Sequence, residues 1–382
     1  MKKYLQVLTV MIAVFGNKSL AEDWTGVAIN DSGLANHYLL HPQDSFYRKE
    51  LIQYKDSNHL PGAIIAIKNP GQPLWIGAAG KSNIDQQIDI QESTPFRIGS
   101  ITKVFIAVVA LKLQEQRKLK LEDKLTDYLP ELKDKIPHSS QITICMLLNH
   151  SSGIWDPKND DSSYLQYITN FPQQMDSMNV DARLQKYVYG KSLFFTPGTQ
   201  SRYSNTGYWL VGKIIEKVTG KSIQQVLHAI IFQPLQMKSS YYEEKPNEKL
   251  AHGYFVVEGN LTNVTRWDKA DGDGDPSSGI ISTAADLFKF GEALFSGKLI
   301  TKKSLQEMLQ NTKFSNCPGG QCEYGLGIET WNQGGVKGYG KNGTSIGYEA
   351  NWIYFPGKNT TVITFANKGG GTHKDFMDRV LK

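Results

Sequence analysis

Arg97-Ile98-Gly99-Ser100-Ile101-Thr102-Lys103, running into the unbroken apolar octet Val104 to Leu111, is the stretch around which the rest of the chain falls into order. An octet that is apolar on every side predicts a buried helix, and a buried helix holds its first turn firmly. In that turn Ser-x-x-Lys sets a hydroxyl and an amine three residues apart, on one face of a helix that begins at Ser100. Taken alone the pair is weak evidence. Serine and lysine are common enough for Ser-x-x-Lys to arise about once by chance in a chain of this length, and serine caps helices routinely. Distant segments have to decide between a nucleophile and a cap.

Outward from this helix the patterns separate into strands near both ends and helices between them. Upstream, His41 to Asp56 reads as a helix, Ala63 to Lys68 and Leu74 to Ala79 as strands joined at the Pro70-Gly71 turn, and Ile84 to Ile90 alternates as a third strand. Downstream, Tyr324 to Trp331, Tyr348 to Phe355 and Thr360 to Ala366 read as strands, with Thr372 capping a short final helix. Between them, from Leu119 to Leu235, lie helices and long polar loops. Tyr208 to Val218 is a periodic helix ended by Gly220, and Ser222 caps the next. Thr283-Ala-Ala-Asp286 reads as a capping box that opens a helix to Phe295. The expectation is one sheet built from both ends of the chain, an α/β domain of residues 22–118 and 268–382, with a mostly helical domain inserted at 119–267.

Composition excludes several classes. With 382 residues, 40% hydrophobic and 21% charged, the chain is ordinary globular material with no disorder signature. Lys2-Lys3, the apolar Tyr4 to Phe15 and the small-x-small Ser19-Leu20-Ala21 read as a signal peptide, residues 1–21, so an exported protein, periplasmic or secreted, is expected. The apolar stretch falls short of the roughly 20 residues of a spanning helix, which argues against a stable membrane anchor. Loss of Lys2, Lys3 and Lys18 lowers the net charge from +5 to about +2, too little for a nucleic-acid partner, whose basic footprint is large and clustered. Cys317 and Cys322 are spaced to close a small loop after export, and Cys145 reads as a buried free thiol. Asp271-Gly-Asp273-Gly-Asp275 resembles a calcium loop, but its sixth position is Pro276 and its twelfth Ser282 where that loop needs Gly and Glu, so no metal is expected. Neither a phosphate loop nor a dinucleotide fingerprint occurs, and no cofactor is expected.

Two further segments bear on Ser100. Tyr203-Ser204-Asn205 follows the Pro197-Gly198 turn and precedes a helix, placing a phenol and an amide two residues apart. Lys341-Asn342-Gly343-Thr344 precedes an apolar strand, placing a lysine beside a glycine where a substrate can approach the backbone. Each alone reads as structural; Ser-x-x-Lys, Tyr-x-Asn and Lys-x-Gly in that order do not read as chance. With Phe96 to Ser100, Leu147 to Gly153, Tyr203 to Tyr208, Gly279 to Thr283 and Lys341 to Tyr348, the chain resembles the serine penicillin-recognising enzymes. That group joins class C β-lactamases, D-alanyl-D-alanine carboxypeptidases of the Tyr-Ser-Asn type, esterases and D-amino-acid peptidases. The likeness extends from about Leu60 to Phe355, and the catalytic meaning of Ser-x-x-Lys comes from that resemblance, not from the spacing.

The resemblance implies a β-lactamase/transpeptidase-like fold, α/β plus all-α, with an antiparallel sheet flanked by helices and an inserted helical domain. It implies an acyl-enzyme on Ser100, with Lys103 and Tyr203 sharing the serine proton. Asn205 would bond the substrate amide, and the N–H groups of Ser100 and Thr344 would hold the oxyanion. Lys341, Asn342, Gly343 and Thr344 would line the substrate. Two ammonium groups about 4 Å from a phenol each favour phenolate by up to roughly 4 kcal/mol at an effective dielectric near 20, which makes Tyr203 the preferred base and Lys103 and Lys341 its activators; neutral Lys103 is the alternative acceptor. His150 lies in a turn that such proteins keep for structure. Asn342 departs from the family pattern, replacing a hydroxyl residue that commonly helps to hold a substrate carboxylate. Lys341 is more like the β-lactamase form and Tyr203-Ser204-Asn205 more like the carboxypeptidase form. The first expectation is a D-alanyl-D-alanine carboxypeptidase-like peptidase acting on small-molecule or peptide substrates. A class C-like β-lactamase or an esterase is the alternative within enzymes, and a non-catalytic receptor for cell-wall fragments the alternative outside them.

Overall fold

The computed structural model describes residues 41–176, 178–242, 249–310, 312, 323–370 and 375–381. The expected signal peptide, the Cys317 and Cys322 pair and the Thr372 cap lie outside them. The strands are β1 (Gly62–Lys68), β2 (Trp75–Asn83), β3 (Ile88–Asp89), β4 (Phe96–Arg97), β5 (Tyr241–Tyr242), β6 (Tyr254–Val257), β7 (Asn260–Asn263), β8 (Ile280–Ser282), β9 (Glu329–Gln333), β10 (Val336–Thr344), β11 (Glu349–Phe355) and β12 (Thr360–Ala366).

Seven of them form one sheet in the order β3-β2-β1-β12-β11-β10-β9, antiparallel at every pairing. The two ends of the chain meet at its centre, where Ala63 faces Ala366 and Lys68 faces Thr361. Both central strands are buried on both faces, and the two-residue alternation of side chains shares them between two cores. Ile64 and Ala66 enter the large core with the helix Thr102–Glu115. Ile65 and Ile67 pack with Tyr47, Leu51 and Tyr54 of the helix Asp44–Ser57, and with Phe376 and Met377. Phe105 stacks on Phe290 of the helix Ala284–Phe295 at 3.7 Å between ring centroids, locking the buried helix against its neighbour. Among the described residues, no helix is long and apolar enough to cross a membrane.

Several local expectations shift. The helix does not begin at Ser100: Gly99–Ile101 is a single 3-10 turn and the α-helix starts at Thr102. Of the expected third strand only Ile88–Asp89 pairs, because the chain turns at Gln87, whose φ is 55°. The strand read at Tyr324 to Trp331 moves to Glu329–Gln333, since Gly327 adopts a φ of 76° and breaks the extended run. Thr283 caps its helix by accepting the Asp286 N–H, but the Asp286 carboxylate completes no box; it accepts from the Ser239 N–H and the Ser240 hydroxyl. Cys145 is free and half-buried, not fully buried. The acidic glycine-rich segment read as a loop is helical over Thr265–Gly272, across position 268 where the return to the sheet domain was expected. The Lys158–Asp271 ion pair and the Arg183 hydrogen bonds to the Ala270 and Asp271 carbonyls outweigh its poor helix propensity.

Candidate active site

Two glycines bring strand β10 against the turn that carries Ser100. Gly99 has a φ of +50°, in the left-handed region that a side chain resists. A Cβ at Gly343 would stand 1.9 Å from the Ile98 carbonyl oxygen, and one at Gly99 would stand 3.1 Å from the Thr344 nitrogen. The same turn is pinned from the other side. The Ile98 N–H donates to the Ile280 carbonyl, and the Thr102 hydroxyl accepts the Ile280 N–H at 3.1 Å. Lys341, Asn342, Gly343 and Thr344 are thereby held beside Ser100, as the motif order suggested.

Ser100 is half-buried and its Oγ meets two groups: the Tyr203 hydroxyl donates to it at 2.8 Å, and Lys103 Nζ lies at 3.0 Å. Lys103 has no exposed surface. Its Nζ also donates to Asn205 Oδ1 at 2.8 Å and to the Ser277 carbonyl at 3.0 Å. Asn205 opens the helix Asn205–Thr219, which Ser204 caps. The Asn205 amide is oriented by its other end, since Nδ2 donates to Asp156 Oδ2 at 2.9 Å. The same carboxylate oxygen accepts the Asn205 N–H at 3.0 Å and Asn159 Nδ2 at 2.6 Å. Asp156 is wholly buried, its Oδ1 has no partner among the described residues, and burial pushes its pKa up to about 6.

The charge states differ from the expectation of a phenolate. Burial, reinforced by Lys341, holds Lys103 well below the usual lysine range, and burial raises Tyr203 well above the usual phenol value despite its bond to Ser100. Lys103 Nζ lies 4.8 Å and Lys341 Nζ 5.4 Å from the Tyr203 ring centroid. Neither supplies the surplus positive charge that a phenolate needs. Desolvation disfavours the charged form of Lys103, and Lys341 is ion-paired with Glu329 Oε1 while also donating to Asn342 Oδ1 at 2.9 Å. A neutral amine has two N–H donors and one lone pair. Asn205 Oδ1 and the Ser277 carbonyl are acceptors and take both donors, so the lone pair is left for the Ser100 hydroxyl. The arrangement can therefore remove the serine proton through Lys103 while Tyr203 donates to the same oxygen.

His150 does not reach Ser100. Its ring packs 4.3 Å from that of Tyr203, its Nδ1 accepts the Ser204 N–H at 3.2 Å, and its carbonyl accepts the Arg202 N–H at 2.9 Å. Burial holds its pKa well below the usual imidazole range. It thus braces the loop that presents Tyr203.

Beneath the site lies a matched ionic cluster. Lys158 Nζ meets Asp275 Oδ2 at 2.6 Å and Asp271 Oδ2 at 3.0 Å, and Arg183 lies 3.6 Å from the same Asp275 oxygen. Asp275 Oδ1 accepts the Ser277 N–H at 2.6 Å and Trp209 Nε1 at 2.8 Å. This fixes the Ser277 segment whose carbonyl Lys103 uses. The carboxylates that resembled a calcium loop are committed to Lys158, Arg183 and Lys269. No group of three His, Cys, Asp or Glu side chains among the described residues can hold a metal.

Asp156, Ser277 and Glu329 went unread in the sequence. Asp156 carries a faint signal, an acid directly before the helix-starting Pro157. Glu329 and Ser277 carry none, because their roles depend on the β9–β10 register, with Glu329 opposite Gly340, and on the ionic cluster.

A model of the Beta-lactamase family matches residues 48–382 of the chain. Penicillin-binding protein 4* of Bacillus subtilis (strain 168) is 27% identical over 347 residues, which are 86% of this chain and 72% of that protein. Beta-lactamase of Escherichia coli (strain K12) is 25% identical over 276 residues, 72% of this chain and 67% of that protein. Among solved structures, a D-stereospecific amidohydrolase from Streptomyces sp. superposes with a TM-score of 0.75 at 25% identity, covering 86% of this chain and 96% of that one.

Proposed function

The chain belongs to the Beta-lactamase family of serine hydrolases, and from that premise we propose that it is an exported amidohydrolase that forms an acyl-enzyme on Ser100. Its substrates are peptides containing D-amino acids, a class that includes the D-alanyl-D-alanine carboxypeptidase reaction expected from the motifs. Support for the class comes from the amidohydrolase likeness, which covers nearly all of that structure. The reading of the chemistry is carried by one observation: Lys103 Nζ stands 3.0 Å from Ser100 Oγ with its other two partners acceptors.

Ser100 Oγ attacks the amide carbonyl and its proton passes to the Lys103 lone pair. The oxyanion settles against the N–H groups of Ser100 and Thr344, near the positive end of the helix that follows. As the C–N bond breaks, the leaving nitrogen takes a proton through Tyr203, whose hydroxyl shares Ser100 Oγ with Lys103. Water then attacks the ester, gives its proton to the same lysine and tyrosine pair, and Ser100 leaves reprotonated. Asn205 holds the lysine in place with one side of its amide group and is itself held by Asp156.

An uncharged fluorophosphonate probe tests this directly. It is expected to label the native protein covalently at Ser100, and Ser100→Ala is expected to lose both labelling and turnover of an activated ester, by about 10⁴-fold or more. Labelling that survives Ser100→Ala overturns the assignment.

A further inference from the structure

We infer that Glu329 makes the cleft select against substrates that carry a free carboxylate on the leaving side of the scissile bond, and that the preferred substrates are amides and esters that are uncharged there or bear an ammonium group. The inference rests on the acyl-transfer reading of Ser100 and narrows its substrate class, setting aside the carboxypeptidase reaction, whose leaving group carries a free carboxylate.

A cation beside a nucleophile ordinarily draws an anionic substituent, and two lysines line this site. Neither presents an open cation to the cleft. Lys103 is fully buried among neutral acceptors, and burial holds its pKa well below the usual lysine range. Lys341 is 2% exposed, ion-paired to Glu329 and bonded to Asn342 Oδ1. The side chain of Glu329, by contrast, is 24% exposed. The partner that solvent and substrate meet is therefore the anion, while the cation lies behind it. Glu329 also reaches the reacting groups electrostatically, for its charge disfavours ionisation of Tyr203.

A substrate carboxylate entering here must either displace Glu329 from Lys341 or sit beside a second carboxylate in a partly desolvated cleft. Both routes are unfavourable. Asn342 Oδ1 accepts from Lys341 at 2.9 Å and so takes up a second of its donors. An amide or ester cap in place of the carboxylate removes the repulsion, and an ammonium group gains from Glu329.

The experiment compares one scissile bond in two charge states, Nα-acetyl-D-alanyl-D-alanine and its C-terminal amide. The wild-type chain is expected to cleave the amide with kcat/KM about 10-fold or more above the free acid. Glu329→Gln, which keeps the shape and removes the charge, is expected to move that ratio about 10-fold toward the acid. Asn342→Thr, which takes the amide acceptor away from Lys341, is expected to move it in the same direction by a smaller factor and guards against a misfolded Glu329 variant. A wild-type preference for the acid, equal rates, or a ratio unmoved in both variants overturns the inference while fluorophosphonate labelling of Ser100 leaves the hydrolase reading standing. Absence of both labelling and hydrolysis overturns the hydrolase reading, and the selectivity with it.

Discussion

Lys103 and Lys158 are both withdrawn from solvent, the first fully and the second with 9% of its side chain exposed, and they share a supporting segment, yet their pKa values move in opposite directions. Burial lowers both. Against Lys158 stand two carboxylates, Asp275 at 2.6 Å and Asp271 at 3.0 Å, and they more than reverse the desolvation so that its pKa is raised. Against Lys103 stand an amide oxygen, a carbonyl and a hydroxyl; none carries a charge, and desolvation wins. Residues 275–277 serve both outcomes, giving Lys158 the Asp275 carboxylate and Lys103 the Ser277 carbonyl. What separates a structural lysine from a basic one is the formal charge of its contact atoms, with burial nearly equal.

The largest effect should come from forcing a charge onto the first lysine. Lys103→Arg keeps a long cation but cannot deprotonate, so acylation of Ser100 by an activated ester should fall about 10³-fold or more. Tyr203→Phe removes a donor to Ser100 Oγ and leaves the acceptor intact, with an expected loss of about 10- to 100-fold. Stopped-flow acylation rates on the two variants decide the proton acceptor: a larger loss in Tyr203→Phe than in Lys103→Arg would return the role of base to the phenol.

The second lysine should answer in stability. Lys158→Met leaves the Asp275 and Asp271 carboxylates short of a cation in the interior, a change that costs about 3–5 kcal/mol, read as a lower denaturant midpoint. Lys158 also contributes to holding Lys103 down. Its loss should therefore move the acidic limb of the kcat/KM profile to higher pH, because more of Lys103 is protonated at a given pH. A stability change under about 1 kcal/mol would mean that the cluster is not a matched ionic core.

Much of this was legible in advance, and for physical reasons. The β-branched runs at 63–68 and 360–366 sit at the sheet centre because no charge interrupts either run before Lys68, and the apolar octet after Lys103 became a helix buried all round. Ser100, Lys103, Tyr203 and Asn205 were readable as a set because each lies in a short motif next to a turn or a helix start. Helix Thr265–Gly272 was not readable, since its aspartates and glycine favour loops until Lys158 and Arg183 close on them from another segment. Charge states were not readable either. A pair of lysines in a motif looks like two positive charges; only the structure shows the Glu329 partner of one and the neutral, buried lining of the other.

The smallest change, Asp156→Asn, probes how the neutral lining is kept in order. An asparagine at 156 still offers an oxygen to the Asn205 N–H groups, so the geometry around Lys103 is retained and kcat/KM at pH 8 should stay within about tenfold of wild type. The charge is gone, however, and the Asp156 carboxylate is one of the groups that raise the Lys103 pKa against its burial. Without it Lys103 protonates at lower pH, so the acidic limb should move down, opposite to its shift in Lys158→Met. Stability carries a second signature. The Asp156 pKa is about 6 in the folded chain against about 3.9 for an unperturbed aspartate, so between those values the folded state binds the extra proton. Its contribution to stability is therefore greatest below the unfolded pKa and declines as pH rises toward 6. Asp156→Asn should remove that decline, so the variant gains on wild type between pH 4 and pH 7 in parallel denaturation curves. An acidic limb that stays in place would show that Asp156 orients Asn205 without influencing the charge on Lys103.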